Sequence, residues 1–360
     1  MGTKPKALIA MSGGVDSSVT AALMMEQGYD CVGVNMRLYA SPETARAEAA
    51  RSCCSLLDAR DAAQVADSMG MPFFVVHENE AFHRHVIDPF VRAYLAGKTP
   101  NPCIDCNRNL KFDRLLAHAQ AHACEMLATG HYARVSFNAE TGRYELRKAK
   151  DLSRDQSYVL YMLTQDVLAH VAFPLGDYTK PEVRALAAEY GFANAEKKDS
   201  QDICFIPDGN HARFIEDYTG KPSAAGDFVD EAGNVLGRHK GIIRYTIGQR
   251  KGLGISSDRP WHVKEIRADE NRIVLARREA VMGDTLTAAD FNWLSIPAPS
   301  GPLRACAKIR YRYQDAPCTA TPLADGRVRV DFDEPQPSIT CGQAVVLYDG
   351  ELVLGGGTIV

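Results

Sequence analysis

A serine- and glycine-rich segment near the amino terminus has the pattern of a phosphate-binding turn. Residues 12–17 read Ser-Gly-Gly-Val-Asp-Ser, and they lie between an apolar run at residues 7–10 and a helical pattern at residues 19–25. A strand that turns into a helix points several N–H groups at one spot, and glycines let the backbone approach a phosphate. Serine hydroxyls add donors, and Asp16 is expected to hold a magnesium ion or to cap the helix.

The turn matches neither of the two commonest nucleotide-binding loops. The segment lacks the Gly-Lys-Ser/Thr ending of a Walker A loop and the Gly-x-Gly-x-x-Gly of a dinucleotide site. It resembles instead the pyrophosphate-binding loop of the N-type ATP pyrophosphatases, which split ATP into AMP and pyrophosphate. An ordinary glycine turn before a capped helix is the alternative, and the flanking strand and helix disfavour it.

Two cysteines are the second set of residues whose spacing suggests chemistry. Cys103 and Cys106 are three residues apart on what is expected to be a loop interrupted by Pro102, just before a helix that begins near Asn109. A thiol close to a helix N-terminus has a stabilised thiolate, which favours Cys106 as a nucleophile. Half of a zinc site, or two inert buried thiols, are the alternatives.

A third thiol, Cys204, follows a polar segment that contains Lys197 and Lys198, two cations able to lower its pKa. Three thiols suit sulfur transfer with thiol–disulfide exchange, and they equally suit three ligands of an iron–sulfur cluster. The chain has ten cysteines, and the other seven are interpreted as small packing residues.

Strand and helix patterns alternate up to about residue 206, which predicts an α/β doubly wound parallel sheet with ligands beyond the carboxyl ends of its strands. A hairpin is expected at residues 133–146. The expected strands are residues 31–36, 72–76 and 126–129, and the expected helices are residues 53–69, 86–95, 110–123, 156–163, 166–171 and 181–190.

After residue 206 short strands and glycine-rich turns replace this pattern, and from residue 284 alternation of apolar and polar residues dominates. This predicts a small mixed central domain, introduced by a helix at residues 211–218, and a C-terminal antiparallel β-barrel. The expected domains are residues 1–206, 207–280 and 281–360.

Composition restricts the class of protein. The 360-residue chain carries a net charge of −4, no apolar run of membrane-spanning length and no signal-peptide pattern. These features predict a cytoplasmic protein with no membrane partner. Because the net charge is negative, RNA binding would need local basic patches and not an overall positive potential. The candidates are Arg238, His239, Lys240, Arg244, Arg250, Lys251, Lys308, Arg310 and Arg312.

Several longer motifs make the chain resemble the tRNA-specific 2-thiouridylases, which replace the carbon-2 oxygen of the wobble uridine with sulfur. The resemblance runs from residue 11 to residue 254 and extends to residues 310–312. Besides the phosphate loop and the cysteine segments, its carriers are Ser-Cys-Cys-Ser at 52–55, Thr-Gly-His-Tyr at 129–132, Asp-Gln-Ser-Tyr at 155–158, Asp-Ser-Gln-Asp-Ile-Cys-Phe at 199–205 and Gly-Gln-Arg-Lys-Gly-Leu-Gly at 248–254.

The resemblance implies a mechanism and partners. ATP would adenylate the uracil oxygen, and Asp16 with Mg2+ would balance charge on the departing pyrophosphate. Cys204 would carry the persulfide sulfur and Cys106 would be the nucleophile, with a transient Cys106–Cys204 disulfide. The sulfur would come from a donor protein, either a cysteine desulfurase or a persulfide relay.

The resemblance also implies site residues. Those expected to bind ATP are Ala10, Met11, Ser12, Gly13, Gly14, Val15, Asp16, Ser17, Met36 and Gly130. Those expected to meet the target base are Asn101, Pro102 and Cys103, and those expected to contact tRNA are His131, Arg154, Asp155, Gln156, Arg310, Tyr311 and Gln343.

One position departs from the family pattern and leaves alternatives open. Relatives are expected to have an aspartate directly after Asn-Pro, where this chain has Cys103, and Asp105 is the nearest carboxylate. The first alternative is an iron–sulfur tRNA thiolase or tRNA-binding protein that uses Cys103, Cys106 and Cys204 for a [4Fe-4S] cluster. The second is another ligase or amidotransferase with the same ATP loop, which would need no thiols.

Overall fold

The computed structural model describes residues 4–39, 56–197 and 203–360. The chain divides into two compact units. The first comprises Met1–Val86, Cys103–Gly209 and Glu351–Val353, and the second comprises Ile87–Pro102, Asn210–Gly350 and Leu354–Val360.

The first unit is built on a parallel five-stranded sheet with the strand order β3-β2-β1-β4-β7. Ala7, Leu8 and Ile9 in the central strand β1 are completely buried, as expected for a strand covered on both faces. The strands of this unit are β1 (Lys6–Ala10), β2 (Asp30–Arg37), β3 (Phe73–His77), β4 (Met126–Ala128), β5 (Arg134–Asn138), β6 (Arg143–Arg147) and β7 (Val171–Ala172).

Helices cover the sheet and pack into its core. Val19 and Leu23 on the first helix, and Ala62 and Val65 on the second, are buried with Ile9 in one apolar cluster. The α-helices of the chain are α1 (Val15–Glu26), α2 (Leu56–Ser68), α3 (Asn79–Phe82), α4 (Asp88–Leu95), α5 (Pro102–Cys106), α6 (Leu115–Ala121), α7 (Gln165–Leu168), α8 (Lys180–Glu189) and α9 (His211–Thr219).

Several expected bounds were wrong, each for a local reason. A π-helical turn at His83–Ile87 precedes α4, and a second one at Asn107–Arg114 joins α5 to α6, so this helical run starts at Pro102 and not at residue 110. Proline is favoured at the first position of a helix, where its missing N–H costs nothing. Residues 156–163 form only a 3-10 turn at Ser157–Val159. The helix expected at residues 166–171 ends at Leu168, where the chain turns into β7.

The predicted hairpin is confirmed. β5 and β6 pair antiparallel from Arg134 opposite Arg147 to Asn138 opposite Arg143. The Asn138 side chain accepts hydrogen bonds from the N–H groups of Glu140 and Thr141, which fixes the turn.

The second unit contains two sheets. A mixed four-stranded sheet has the order β10-β11-β8-β9, with β8 and β11 parallel. An antiparallel barrel has the order β12-β15-β14-β13-β16-β17 and closes where β12 pairs with β17. The strands are β8 (Gly226–Val229), β9 (Val235–His239), β10 (His262–Arg267), β11 (Arg272–Ala276), β12 (Met282–Trp293), β13 (Leu303–Lys308), β14 (Ala316–Pro322), β15 (Val328–Pro337), β16 (Ala344–Asp349) and β17 (Leu352–Ile359).

The predicted fold class is therefore confirmed: a parallel α/β sheet, a small mixed region and an antiparallel barrel follow one another along the chain. Within the described ranges, no helix is long and apolar enough to cross a membrane.

Candidate active site

The turn between β1 and α1 leaves the start of α1 open to an anion. Gly14 occupies the N-cap position, and it has no side chain that could accept a hydrogen bond from the first turn of the helix. The first N–H groups of an α-helix have no acceptor within the helix, and the helix dipole is positive at this end. A phosphate placed here would meet both the free donors and the positive dipole.

Side chains from other elements hold the carbonyl oxygens of this turn. The Asn35 amide donates to the Met11 carbonyl at 2.7 Å. The Gly13 carbonyl accepts from the Asn194 amide at 3.2 Å and from Lys197 Nζ at 3.1 Å. These bonds fix the orientation of the two carbonyl groups and, with them, of the peptide planes of the turn.

Gly13 is required by the backbone path of this turn. Its φ is +78°, and a Cβ at this position would lie 2.2 Å from the Asp58 carbonyl oxygen at the start of α2. Only glycine combines this left-handed conformation with such a close approach. Gly14 differs, because the nearest atom to a Cβ there is Ser12 Oγ at 3.5 Å.

The serine hydroxyls shape the turn instead of remaining free as phosphate donors. Ser17 Oγ donates to the Gly14 carbonyl at 2.9 Å and accepts from the Ser12 N–H at 3.2 Å. Ser18 Oγ donates to the same carbonyl at 3.1 Å. Ser12 is exposed, whereas Ser17 and Ser18 are buried. The expectation that Ser17 and Ser18 supply free hydroxyl donors is therefore not supported by their geometry.

Asp16, in the first turn of α1, has a different environment from the one expected of a metal ligand. Its Oδ1 accepts from Tyr132 Oη at 2.8 Å and from Lys180 Nζ at 2.8 Å, and its Oδ2 accepts from Lys180 Nζ at 2.9 Å. As placed, this carboxylate does not fit Mg2+, because its oxygens are bonded to an ammonium group that would repel a cation.

The other expected ATP contacts lie at the carboxyl ends of neighbouring strands. Ala10 ends β1, and Met36 is half-buried near the end of β2. Gly130 follows β4, and a Cβ on it would lie 3.2 Å from the Ser17 nitrogen. Because β1, β2 and β4 are parallel, these positions share one edge of the sheet with the phosphate loop.

Cys103 and Cys106 lie within a helix and not on the loop that was expected. α5 begins at Pro102, so Cys103 belongs to the first turn and is exposed, whereas Cys106 is 8% exposed. Residues three apart on a helix are neighbours on one face. The expectation that Cys106 is the thiol nearer a helix start was wrong. The helix dipole favours the Cys103 thiolate instead.

Asp105 does not take the place of the carboxylate that is missing at position 103. Residues two apart on a helix point in roughly opposite directions. Burial raises the pKa of the Asp105 carboxyl, with Arg108 and His85 acting in the opposite sense. The Cys103 position therefore presents a thiol and no substitute acid.

The segments that carry Cys106 and Cys204 converge on α3. The Phe205 ring packs edge-on against the Phe82 ring of α3, with 5.6 Å between centroids. The turn after Cys106 contacts α3 as well, and Glu78 at the start of α3 accepts from His118 Nε2 at 3.3 Å. Because α3 follows β3, both thiol segments are anchored at the edge of the sheet that carries the phosphate loop.

No disulfide joins Cys103, Cys106 or Cys204 to another described cysteine. Among the described residues, no group of three or more His, Cys, Asp or Glu side chains is arranged to hold a metal ion. The family motif at residues 52–55 and residues 199–202 of the Cys204 motif lie outside the described residues.

Burial raises the pKa of two further thiols, Cys31 to about 11 and Cys318 to about 12. Such thiols stay protonated near neutral pH, which suits their interpretation as packing residues. Cys341 does not fit that interpretation, because it is exposed and lies in a turn and not in a strand.

The expected tRNA contacts of the first unit are mostly internal. His131 is 6% exposed, its Nδ1 lies 2.7 Å from Thr129 Oγ1, and its ring lies between Phe112 and Phe173. Asp155 is 6% exposed and accepts from the N–H groups of Ala149 and Ser157.

Gln156 holds Tyr132, the tyrosine that bonds Asp16. Its side-chain oxygen accepts from the Tyr132 N–H at 2.9 Å, and its own N–H donates to the Tyr132 carbonyl at 2.8 Å. Arg154 is half-buried beside it. Direct RNA contact by these residues stays a prediction.

The residues of the second unit that are expected to contact tRNA have different surroundings. Arg310 Nη2 donates to the carbonyls of Ile247 and Ser338 and to Thr340 Oγ1, so its guanidinium joins the two sheets of this unit. Tyr311 is exposed. The Gln343 amide donates to the Thr99 carbonyl at 2.6 Å.

Asn101 is half-buried and Pro102 is buried at the start of α5. Their expected contact with the target base stays a prediction.

Sequence reasoning missed the residues that support the loop. The loop is contacted from positions 24 to 184 residues away in the chain by Asn35, Tyr132, Lys180, Asn194 and Lys197. Lys180 is the first residue of α8, next to the Thr179 cap, and such a position ordinarily indicates only a helix start. Tyr132 had a usable signal, because it belongs to the Thr-Gly-His-Tyr motif.

Three family models match the chain in succession. They are described as the tRNA methyl transferase HUP domain at residues 5–208, the tRNA methyl transferase PRC-barrel domain at residues 212–277 and the aminomethyltransferase beta-barrel domain at residues 283–359.

Curated relatives match over almost their full length. The tRNA-specific 2-thiouridylase MnmA of Geotalea uraniireducens is 49% identical over 99% of this chain and 95% of its own. The protein of the same name from Geobacter metallireducens is 47% identical over 99% of this chain and 97% of its own. Among solved structures, the NMN synthetase of Francisella tularensis is 15% identical with a TM-score of 0.35, over 61% of this chain and 79% of that one, which is too distant to carry an inference.

The two glycines of the loop should respond differently to alanine. Gly13→Ala forces a Cβ into the Asp58 carbonyl at a positive φ, so we expect a loss of more than about 1 kcal/mol in unfolding free energy and loss of nucleotide binding. Gly14→Ala is the matched control, with an expected change within about 0.5 kcal/mol. Urea unfolding followed by circular dichroism measures both. Equal stability of the two variants would contradict the backbone geometry described here.

His131 should make stability depend on pH. Burial, with Lys111 adding to it, holds the pKa of His131 well below 6.5, so the folded protein keeps the ring neutral while the unfolded chain protonates near pH 6.5. This contribution is complete above about pH 6.5 and is lost as pH falls below it, by at most about 1.4 kcal/mol per pH unit for one proton. His131→Asn should flatten the dependence between pH 5 and 7.

His122→Asn is the control for His131, because the His122 ring is exposed; it stacks on Phe74, and its Nδ1 lies 2.9 Å from the His118 carbonyl oxygen. His211 and His239, whose pKa values burial also lowers, should leave part of the pH dependence in place. An unchanged pH dependence in His131→Asn would show that this ring is not the buried neutral group described.

Proposed function

The chain belongs to the tRNA-specific 2-thiouridylase family, and on that basis we propose that it replaces the carbon-2 oxygen of the wobble uridine of tRNA with sulfur in an ATP-dependent reaction. The observation that carries this proposal is the identity of 49% over 99% of the chain to a protein with that name. The phosphate loop and the two thiol segments lie in the same unit, at one edge of its sheet, as such a reaction requires.

The first step is adenylation of the uridine. The carbon-2 oxygen attacks the α-phosphorus of ATP, and the bond to the bridging oxygen breaks with its electron pair leaving on pyrophosphate. The open N-terminus of α1 binds the phosphates through backbone N–H groups, which are held in position before ATP arrives. Adenylation converts a poor leaving oxygen into AMP.

The second step is sulfur transfer. The terminal sulfur of a Cys204 persulfide attacks carbon 2 of the uridine, and AMP leaves. The Cys106 thiolate then attacks Cys204 Sγ, the bond between Sγ and the transferred sulfur breaks, and a Cys106–Cys204 disulfide forms. A thiol reductant must open that disulfide before the next cycle. The common anchoring of both segments on α3 supports this pairing of roles.

Partners and domains follow the same proposal. The substrate is tRNA, and the sulfur comes from a donor protein of the cysteine desulfurase or persulfide-relay class. Residues 1–206 carry the chemistry, residues 207–280 form a central domain, and the barrel at residues 281–360 contacts tRNA. Arg250 and Lys251 are exposed and form no ion pair with another described residue, so they are the better candidates for phosphate contacts.

Cysteine variants test the assigned roles. Cys106→Ser and Cys204→Ser should each form no 2-thiouridine in a single-turnover reaction with ATP, a sulfur source and tRNA. Cys204→Ser cannot carry the persulfide, and Cys106→Ser cannot release the transferred sulfur from Cys204. Cys103→Asp should retain substantial activity, since it restores the carboxylate expected in relatives. Cys341→Ser, which removes an exposed thiol of the second unit, is the control. Nucleoside analysis measures the product.

Two outcomes of that experiment would contradict the roles. Full activity in Cys106→Ser would remove Cys106 as the attacking thiol. An inactive Cys103→Asp that also loses iron from anaerobically purified protein would move the chemistry to an iron–sulfur cluster.

The salt dependence of tRNA binding tests the surface. Neutralising Arg250 and Lys251 together should lower the slope of log affinity against log salt by about two units if each contacts one phosphate. Arg244→Gln is the contrasting variant, because Arg244 Nη2 is bonded to both carboxylate oxygens of Glu216 at 2.7 Å. It should lower stability and leave the slope unchanged. An unchanged slope in the Arg250 and Lys251 variant together with a lower slope in Arg244→Gln would show that Arg244, and not Arg250 and Lys251, contacts phosphate.

A further inference from the structure

Lys180 and Asp16 form a close pair in the phosphate loop whose two members differ in exposure. The Lys180 side chain is 7% exposed and that of Asp16 is 31% exposed, with Nζ at 2.8 and 2.9 Å from the two carboxylate oxygens. Asp16 lies in the first turn of α1, where a phosphate is expected to bind. An unneutralised carboxylate at that position would repel the triphosphate.

The neighbouring lysine is differently placed. Lys197 Nζ lies 2.6 Å from Asp58 and 2.6 Å from Asp61, so two carboxylates already balance its charge. Lys180 Nζ bonds both carboxylate oxygens of Asp16, which is the more exposed member of the pair. Because Asp16 lies in the first turn of α1, this pair places the Lys180 ammonium where a phosphate bound at the helix start could share it.

The position of Lys180 is fixed from several sides. Its backbone N–H donates to Asp151 at 3.0 Å, and it follows Thr179, whose side chain forms a capping box with Glu182 at the start of α8. Tyr132 Oη also donates to Asp16 Oδ1, at 2.8 Å. A long side chain held in this way loses little conformational freedom when it binds a ligand.

We propose that Lys180 is the protein's cation for the pyrophosphate of ATP, and that Asp16 acts as a positioning residue that holds its ammonium group beside the loop instead of ligating a metal ion. This rests on the proposed function. When the α-phosphorus is attacked, the bridging bond breaks with its electron pair on pyrophosphate. Lys180 stabilises that negative charge, and no proton is transferred.

The test is binding of inorganic pyrophosphate to the purified full chain, measured by calorimetry with and without magnesium and in the absence of tRNA. Lys180→Met should weaken binding about tenfold or more in both buffers, because a hydrogen bond between charged groups is lost. Asp16→Asn should bind at least as tightly as the unchanged protein in both, because it removes a negative charge and keeps the Tyr132 acceptor.

Two further variants complete the comparison. Asp16→Asn/Lys180→Met leaves no unpaired charge, so it should fold as judged by circular dichroism and should still bind pyrophosphate as weakly as Lys180→Met. Lys150→Met removes an exposed lysine that is paired with Glu182 at 3.1 Å, and its binding should be unchanged.

Unchanged pyrophosphate binding in Lys180→Met or in the double variant would overturn the proposal. So would weaker binding in Asp16→Asn confined to the magnesium buffer, since that result would make Asp16 a metal ligand. Because no tRNA or sulfur is present, these results are independent of whether the chain forms 2-thiouridine.

Discussion

The carbonyl oxygens of the phosphate loop are fixed by hydrogen bonds from outside the loop, and the rest of the site depends on this constraint. Asn35 holds the Met11 carbonyl, and Asn194 and Lys197 hold the Gly13 carbonyl. With the carbonyls fixed, the N–H groups at the start of α1 are set for an anion before it arrives. The donors come from β2 and from the chain after α8, so the complete first unit is needed to shape a short turn.

A second set of bonds joins the segment at residues 151–156 to the same loop. Gln156 holds the backbone of Tyr132, whose hydroxyl donates to Asp16, and Asp151 accepts from the backbone of Lys180, whose ammonium also bonds Asp16. Part of this segment matches a family motif expected to contact tRNA. Through these bonds, residues of this segment hold side chains of the phosphate loop in position. A variant there would change ATP use even where it never meets RNA.

Sequence reasoning was most successful where a local pattern determines structure. The buried strand β1, the glycine turn and α1 follow from apolar runs, glycines and helix signals within a few residues. The start of α5 was misplaced because Pro102 was interpreted as interrupting a loop, although proline is equally a helix-starting residue. That error made Cys106, and not Cys103, the thiol expected nearer to the start of a helix. The supporting bonds of Asn35, Asn194 and Lys180 depend on which strands and helices become neighbours, and no local pattern specifies them.

The central claim is that one chain couples cleavage of ATP at its phosphate loop to sulfur transfer at its cysteines. The most direct test is a single-turnover reaction with the persulfide-loaded protein, ATP and tRNA, in which AMP, pyrophosphate and 2-thiouridine are counted together. Coupled chemistry predicts equal amounts of the three products. ADP and phosphate in place of AMP and pyrophosphate, or 2-thiouridine formed without AMP, would contradict it.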